Sequence, residues 1–80
     1  SFSDSYLQIP FIAKNQIVLF MYSDNIFKMD ELTQKIRNIK NIKSIDLFIP
    51  KKMSFYIKWI EKAINDFKKS PKLHLTYQTN

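Results

Sequence analysis

Six consecutive apolar or aromatic residues, Ile17-Val18-Leu19-Phe20-Met21-Tyr22, constrain this chain more than any other stretch. The run is rich in β-formers and far too short to cross a membrane as a helix, so it reads as a strand. Ile17, Leu19 and Met21 are expected on one face, and Val18, Phe20 and Tyr22 on the other. A strand with one wet face alternates apolar with polar residues; this one does not, so both faces are expected to be covered. Helices can cover one of them. A chain of 80 residues has little material for a second layer, so a partner subunit or domain is the expected cover for the other.

Composition narrows the options further. A single domain, 1–80, of this size buries about 60–65% of its unfolded surface and is marginal alone. The sequence has no Cys and one His, which excludes disulfides and thiolate metal sites and leaves little imidazole chemistry. Oligomerisation or a parent protein is the expected support, and a chain opening at Ser1 reads as a piece of a longer one. Glycine is absent, so neither a phosphate-binding loop nor a dinucleotide fingerprint can be built. Every turn must be made with Asn, Asp, Ser, Lys or Pro. No apolar run approaches the ~18 residues of a membrane helix and no signal peptide is evident, so a cytoplasmic protein without a membrane partner is expected. The net charge of +6 is uneven: residues 1–34 carry −2, and residues 35–80 carry +8. Such a balance suits either a solvated face or an acidic partner such as nucleic acid.

In chain order, Ser3 to Ala13 alternates with period 2 and reads as a strand, with Pro10 placing it at an edge. Lys14-Asn15 makes a two-residue hairpin in which Asn15 tolerates positive φ. Ser23-Asp24-Asn25 offers turn and helix-capping residues. Met29, Leu32, Ile36 and Ile39 then form one stripe of a helix near 27–39. Asp30 and Glu31 lie early and Lys35, Arg37 and Lys40 late, which suits the helix dipole. Asn41 is expected as a left-handed cap. Lys43 to Ile49 returns as a strand with Ile45, Leu47 and Ile49 inward, parallel to the central strand because a helix joins them. Met53 to Lys69 is the second helix, stopped before Ser70-Pro71. Leu73, Leu75 and Tyr77 alternate with His74, Thr76 and Gln78 in a last strand or extended tail.

The second helix has an apolar arc of roughly 200°, twice the ~100° that one sheet needs. Met53, Ile57, Ile60, Ile64 and Phe67 form the core stripe, which Tyr56 and Ala63 widen and Phe55 and Trp59 widen again. Val18, Phe20, Tyr22, Phe55 and Trp59 are therefore the candidate interface residues; the alternative is that Trp59 covers strand ends within one domain. Phe48, Phe55, Tyr56 and Trp59 interleaved with basic residues resemble a nucleic-acid stacking surface in composition. His74 stands in a Leu-His-Leu context with no carboxylate or hydroxyl at motif spacing, and reads as a surface residue. Asp24, Asp30 and Glu31 are better explained by helix capping and the dipole than by a metal. No nucleophile, metal-ligand or cofactor motif is present, so no enzyme, metal or cofactor is expected.

The run Ile12 to Asp24, with the helix after it and Ile39-Lys40-Asn41-Ile42-Lys43-Ser44-Ile45-Asp46, resembles the second half of an effector domain of the Lrp/AsnC transcriptional regulators. The resemblance covers about half of the chain. Ala13 stands at the family's hairpin Gly, Gln16 at its Asp, and Asn41 at the Gly before Ile42. The resemblance implies a ferredoxin-like relative that dimerises through its sheet, binds an amino-acid-like effector at the hairpin through Lys14, Asn15 and Gln16, and meets DNA through a separate domain. The expected fold is α+β: a three- to four-stranded mixed sheet, mainly antiparallel with one parallel pair, and two helices on one face in the order β-β-α-β-α-β. The expected function is oligomerisation, as a homodimer or higher oligomer, and effector sensing within a transcriptional regulator. The alternative is a small basic module that binds nucleic acid directly.

Overall fold

The central apolar run becomes strand β2 (Gln16–Phe20) in a computed structural model that describes residues 11–13, 15–21 and 26–78. Side chains are described for 15–21 and 29–78. The expectations for Ser3–Pro10, Lys14, Ser23–Asn25 and the Tyr22 side chain lie outside the described residues. Strand β1 (Phe11–Ala13) pairs antiparallel with β2 from Phe11↔Val18 to Ala13↔Gln16. That register leaves a two-residue link, and Asn15 takes φ 67° within it, the left-handed conformation such turns require.

Helix α1 (Ile26–Asn38) leads into β3 (Ser44–Pro50), and α2 (Tyr56–Asp66) leads into β4 (Lys72–Gln78). β3 lies parallel to β2 on one side and to β4 on the other. The result is a small α+β domain with three parallel strands in β-α-β-α-β order, to which Phe11–Ala13 adds a short antiparallel ladder. This corrects the expected mainly antiparallel sheet: β4 is a true strand, and a helical crossover carries it into a second parallel pair. It also separates the domain from the ferredoxin-like relation. There the βαβ unit is split by an intervening strand, whereas here both parallel pairs are direct neighbours.

Both helices pack on one side of this sheet in a single apolar cluster. Ile17, Leu19 and Met21 from the β2 run and Ile45, Leu47 and Ile49 from β3 are all 1% exposed or less. Met29, Leu32 and Ile36 meet them from α1, as the stripe predicts, with Ile39 partly buried at its end. On α2 the fully buried line is Tyr56, Ile60 and Ala63, so the stripe is centred on two residues expected at its margin. Ile57, Ile64 and Phe67 flank it, half-buried. The shift follows from a later start: Lys51–Met53 forms a separate 3₁₀ turn that buries Met53, and α2 begins only at Tyr56.

Helix ends differ from expectation in two places. Since α1 starts at Ile26, Asp30 and Glu31 miss its first turn, while Lys35 and Arg37 do occupy the last. Asn41 is not left-handed; among the described residues only Asn15 and Lys68 have positive φ. The end of α1 is held differently, by Lys69 Nζ donating to the Ile39 carbonyl at 2.8 Å. The left-handed cap belongs to α2. Lys68 takes φ 56°, its N–H reaches the Asn65 carbonyl at 3.0 Å, and the Lys69 N–H reaches Ile64 at 2.9 Å. This pair of bonds is the Schellman pattern, with lysine where glycine would be strain-free.

Candidate functional site

The strand positions that do not face the helices define the candidate surface. Register places Gln16, Ser44 and Lys72 in one row, Val18, Asp46 and His74 in the next, and Phe20, Phe48 and Thr76 in a third. Among the described residues no helix packs over these rows, and Val18, Phe20 and Phe48 are half-buried rather than sealed. The second cover expected for the central strand is therefore not supplied by the described residues.

The face has two chemically distinct ends. Toward the strand starts, Gln16 Nε2 donates to Asp46 Oδ2 at 2.8 Å, and His74 Nδ1 lies 3.0 Å from Asp46 Oδ1. One carboxylate thus ties three strands together, with its oxygens divided between an amide and an imidazole. Facing a carboxylate oxygen, His74 Nδ1 is the donor of that contact. Toward the strand ends, the Phe20 and Phe48 rings stack at 4.4 Å between centroids and 12° between planes. Such a pair on a sheet face that no described helix covers is a large apolar area held in fixed geometry.

The expected effector residues divide. Asn15 serves the backbone, its carbonyl accepting the Lys43 N–H at 2.7 Å. Gln16 belongs to the Asp46 network, and Lys14 lies outside the described residues. The expected interface residues divide as well. Val18 and Phe20 share the open face, whereas Phe55 and Trp59 belong to the helix layer across the sheet. Phe55 is 58% exposed and packs its ring on Tyr56 at 4.5 Å. Trp59 works within the chain: its Nε1 donates to Thr33 Oγ1 at 3.1 Å, joining α2 to α1. Between these helices runs a groove of about 230 Å³ lined by Thr33, Trp59, Lys62, Ala63, Asp66 and Phe67. Its charged residues are paired with each other, Lys62 to Asp66 at 2.8 Å.

Sequence reasoning missed the Asp46–His74 pair. His74 was read as a surface residue with no carboxylate at motif spacing; it is exposed, and the parallel register of β3 and β4 brings Asp46 beside it from 28 positions away. The signal was the alternation of 72–78 read as a strand beside β3. Among the described residues no cluster of three or more His, Asp or Glu could hold a metal, and no helix is long and apolar enough to cross a membrane. Compared with known proteins, the chain matches no family model, no curated protein and no solved structure.

Proposed function

We propose that this domain is the non-enzymatic oligomerisation and effector-sensing part of a transcriptional regulator, and that it associates through the open sheet face. The observation that carries the reading is the Phe20–Phe48 stack beside Val18 on a face that no described helix covers. Large apolar side chains gain roughly 1.5–3 kcal/mol each on full burial, so leaving them half-wet favours a partner. A second copy of the chain closes the face most simply, as a two-fold homodimer or a higher oligomer. What supports the regulatory setting is the local sequence likeness of residues 12–24 and 39–46 to the Lrp/AsnC effector half, and not the sheet, whose adjacent parallel pairs differ from the ferredoxin-like arrangement. In that setting an amino-acid-like effector binds near Asn15 and Gln16, and DNA is met through a separate domain. Chemical-shift mapping with a panel of amino acids tests the effector part. Shifts at 15–18 and 43–46 support it, and none for any amino acid rejects it. Phe20→Ser tests the face: it should move the chain toward monomer in sedimentation without loss of helical signal.

One observation favours a second reading, direct nucleic-acid binding. Phe48 and Phe20 offer a stacking platform with Lys72 on the same face and Lys43 at its start. A phosphate-contacting domain would bind a nonspecific duplex at ~50 mM salt and lose it steeply as salt rises. Absence of binding there leaves the association reading in place.

A further inference from the structure

We infer that the outer edge of β4 is a second, separate association site, and that its occupant is β4 of another copy running antiparallel across a two-fold axis at Leu75. The inference rests on residues other than those of the open-face reading. β4 is the last strand of the sheet, and its helix-side row is poorly covered. Leu73 is half-buried, Leu75 is 38% exposed and Tyr77 49%. Strands at sheet edges are normally blunted by charge, proline, a bulge or a covering element. The edge carries such devices only at its start, Pro71 and Lys72; between Leu73 and Gln78 the sequence offers none, and among the described residues no strand pairs with it.

The backbone decides which groups face outward. Lys72 N–H donates to the Lys43 carbonyl at 2.8 Å, so the even-numbered residues of β4 turn their main-chain groups toward β3. By alternation, Leu73, Leu75 and Tyr77 turn theirs toward the open edge. An antiparallel copy centred on Leu75 pairs Leu73 with the partner's Tyr77 and Leu75 with the partner's Leu75. These become hydrogen-bonded pairs that use every outward group of the strand. On the same register the exposed apolar row covers itself, because a two-fold axis normal to the sheet keeps the helix side on the helix side.

The self-complementary register favours a copy of this chain as the occupant, and charge permits it. Although the chain carries +6, this register sets Lys72 opposite Gln78 and His74 opposite Thr76, so no like charges face each other. Shifting the axis by one residue to His74 opposes His74 to itself and Tyr77 to Pro71, which has no N–H to give. The Leu75 register alone pairs the whole of 72–78.

Engineered cysteines test it against no background, since the chain has no other thiol. Leu75→Cys places two Cα atoms about 5.5 Å apart across the axis, within disulfide range. Lys72→Cys places them roughly 20 Å apart. Under mild oxidation the first should cross-link and the second should not, and Leu75→Lys should weaken self-association about fivefold by opposing like charges. Slowed amide exchange at Leu73, Leu75 and Tyr77 as concentration rises reads the same edge without a mutation. Cross-linking of Lys72→Cys as fast as Leu75→Cys, or fast exchange at Leu75 under conditions where the chain is associated, overturns the proposal. The second outcome assigns self-association to another surface.

Discussion

Lys68 shows most plainly how a chain without glycine is built. A left-handed residue is needed to end α2, and a side chain with a Cβ takes that conformation at a cost of roughly 1 kcal/mol. Lys68→Gly should therefore raise stability by about 1 kcal/mol, seen as a higher urea midpoint at unchanged slope; an unchanged or lower midpoint would contradict the assignment of the cap. Sequence reasoning placed a left-handed residue correctly at Asn15, where a two-residue hairpin demands one. It misplaced the other at Asn41, because side-chain preference for the left-handed region says little when tertiary packing fixes where the helix stops. Trp59 stands on the over-wide apolar arc, and its indole N–H is donated to Thr33 on the neighbouring helix. Trp59→Phe keeps most of the packing and removes that bond, at an expected cost of about 1 kcal/mol. A double-mutant cycle with Thr33→Val should return a coupling of roughly 0.5–1.5 kcal/mol, and zero coupling would mean the bond contributes nothing.

Among the elements, β3 carries the fold. It is hydrogen-bonded on both sides, and Ile45, Leu47 and Ile49 are each 0% exposed. Leu47→Ala should cost about 2–5 kcal/mol. In a domain this small that is a large part of the total, so the variant is expected to be largely unfolded by circular dichroism; retention of near-native stability would show that the core relaxes around the gap. The strands and their inward residues were legible because β2 is a continuous apolar run and β3 alternates. The direction of the last pair was not, because Leu73, Leu75 and Tyr77 alternate with polar residues and suit a solvated tail equally well. The α2 helix between them was the cue, since a crossover of that length returns a strand parallel to its predecessor. Asp46 and His74 stayed unconnected for the same reason: without that pairing, nothing in the local sequence brings a carboxylate to the imidazole.

At the scale of the molecule, the helix side of β2 and β3 is sealed, whereas the helix-side row of β4 and, among the described residues, the opposite face are not. The helix layer accounts for every residue 1% exposed or less, while the Phe20–Phe48 stack and the β4 edge await contacts that the described residues do not make. Doubly apolar character in residues 17–22 anticipated the open face, whereas the edge became visible only once β4 was placed. Both features lead to the same whole-molecule claim, that this chain associates with itself, and sedimentation equilibrium over ~1–100 μM tests it most directly. The account predicts a mass rising from 9.6 kDa to at least twice that value, with Phe20→Ser and Leu75→Lys each lowering the association at its own surface. A single species of 9.6 kDa across the whole range would contradict it.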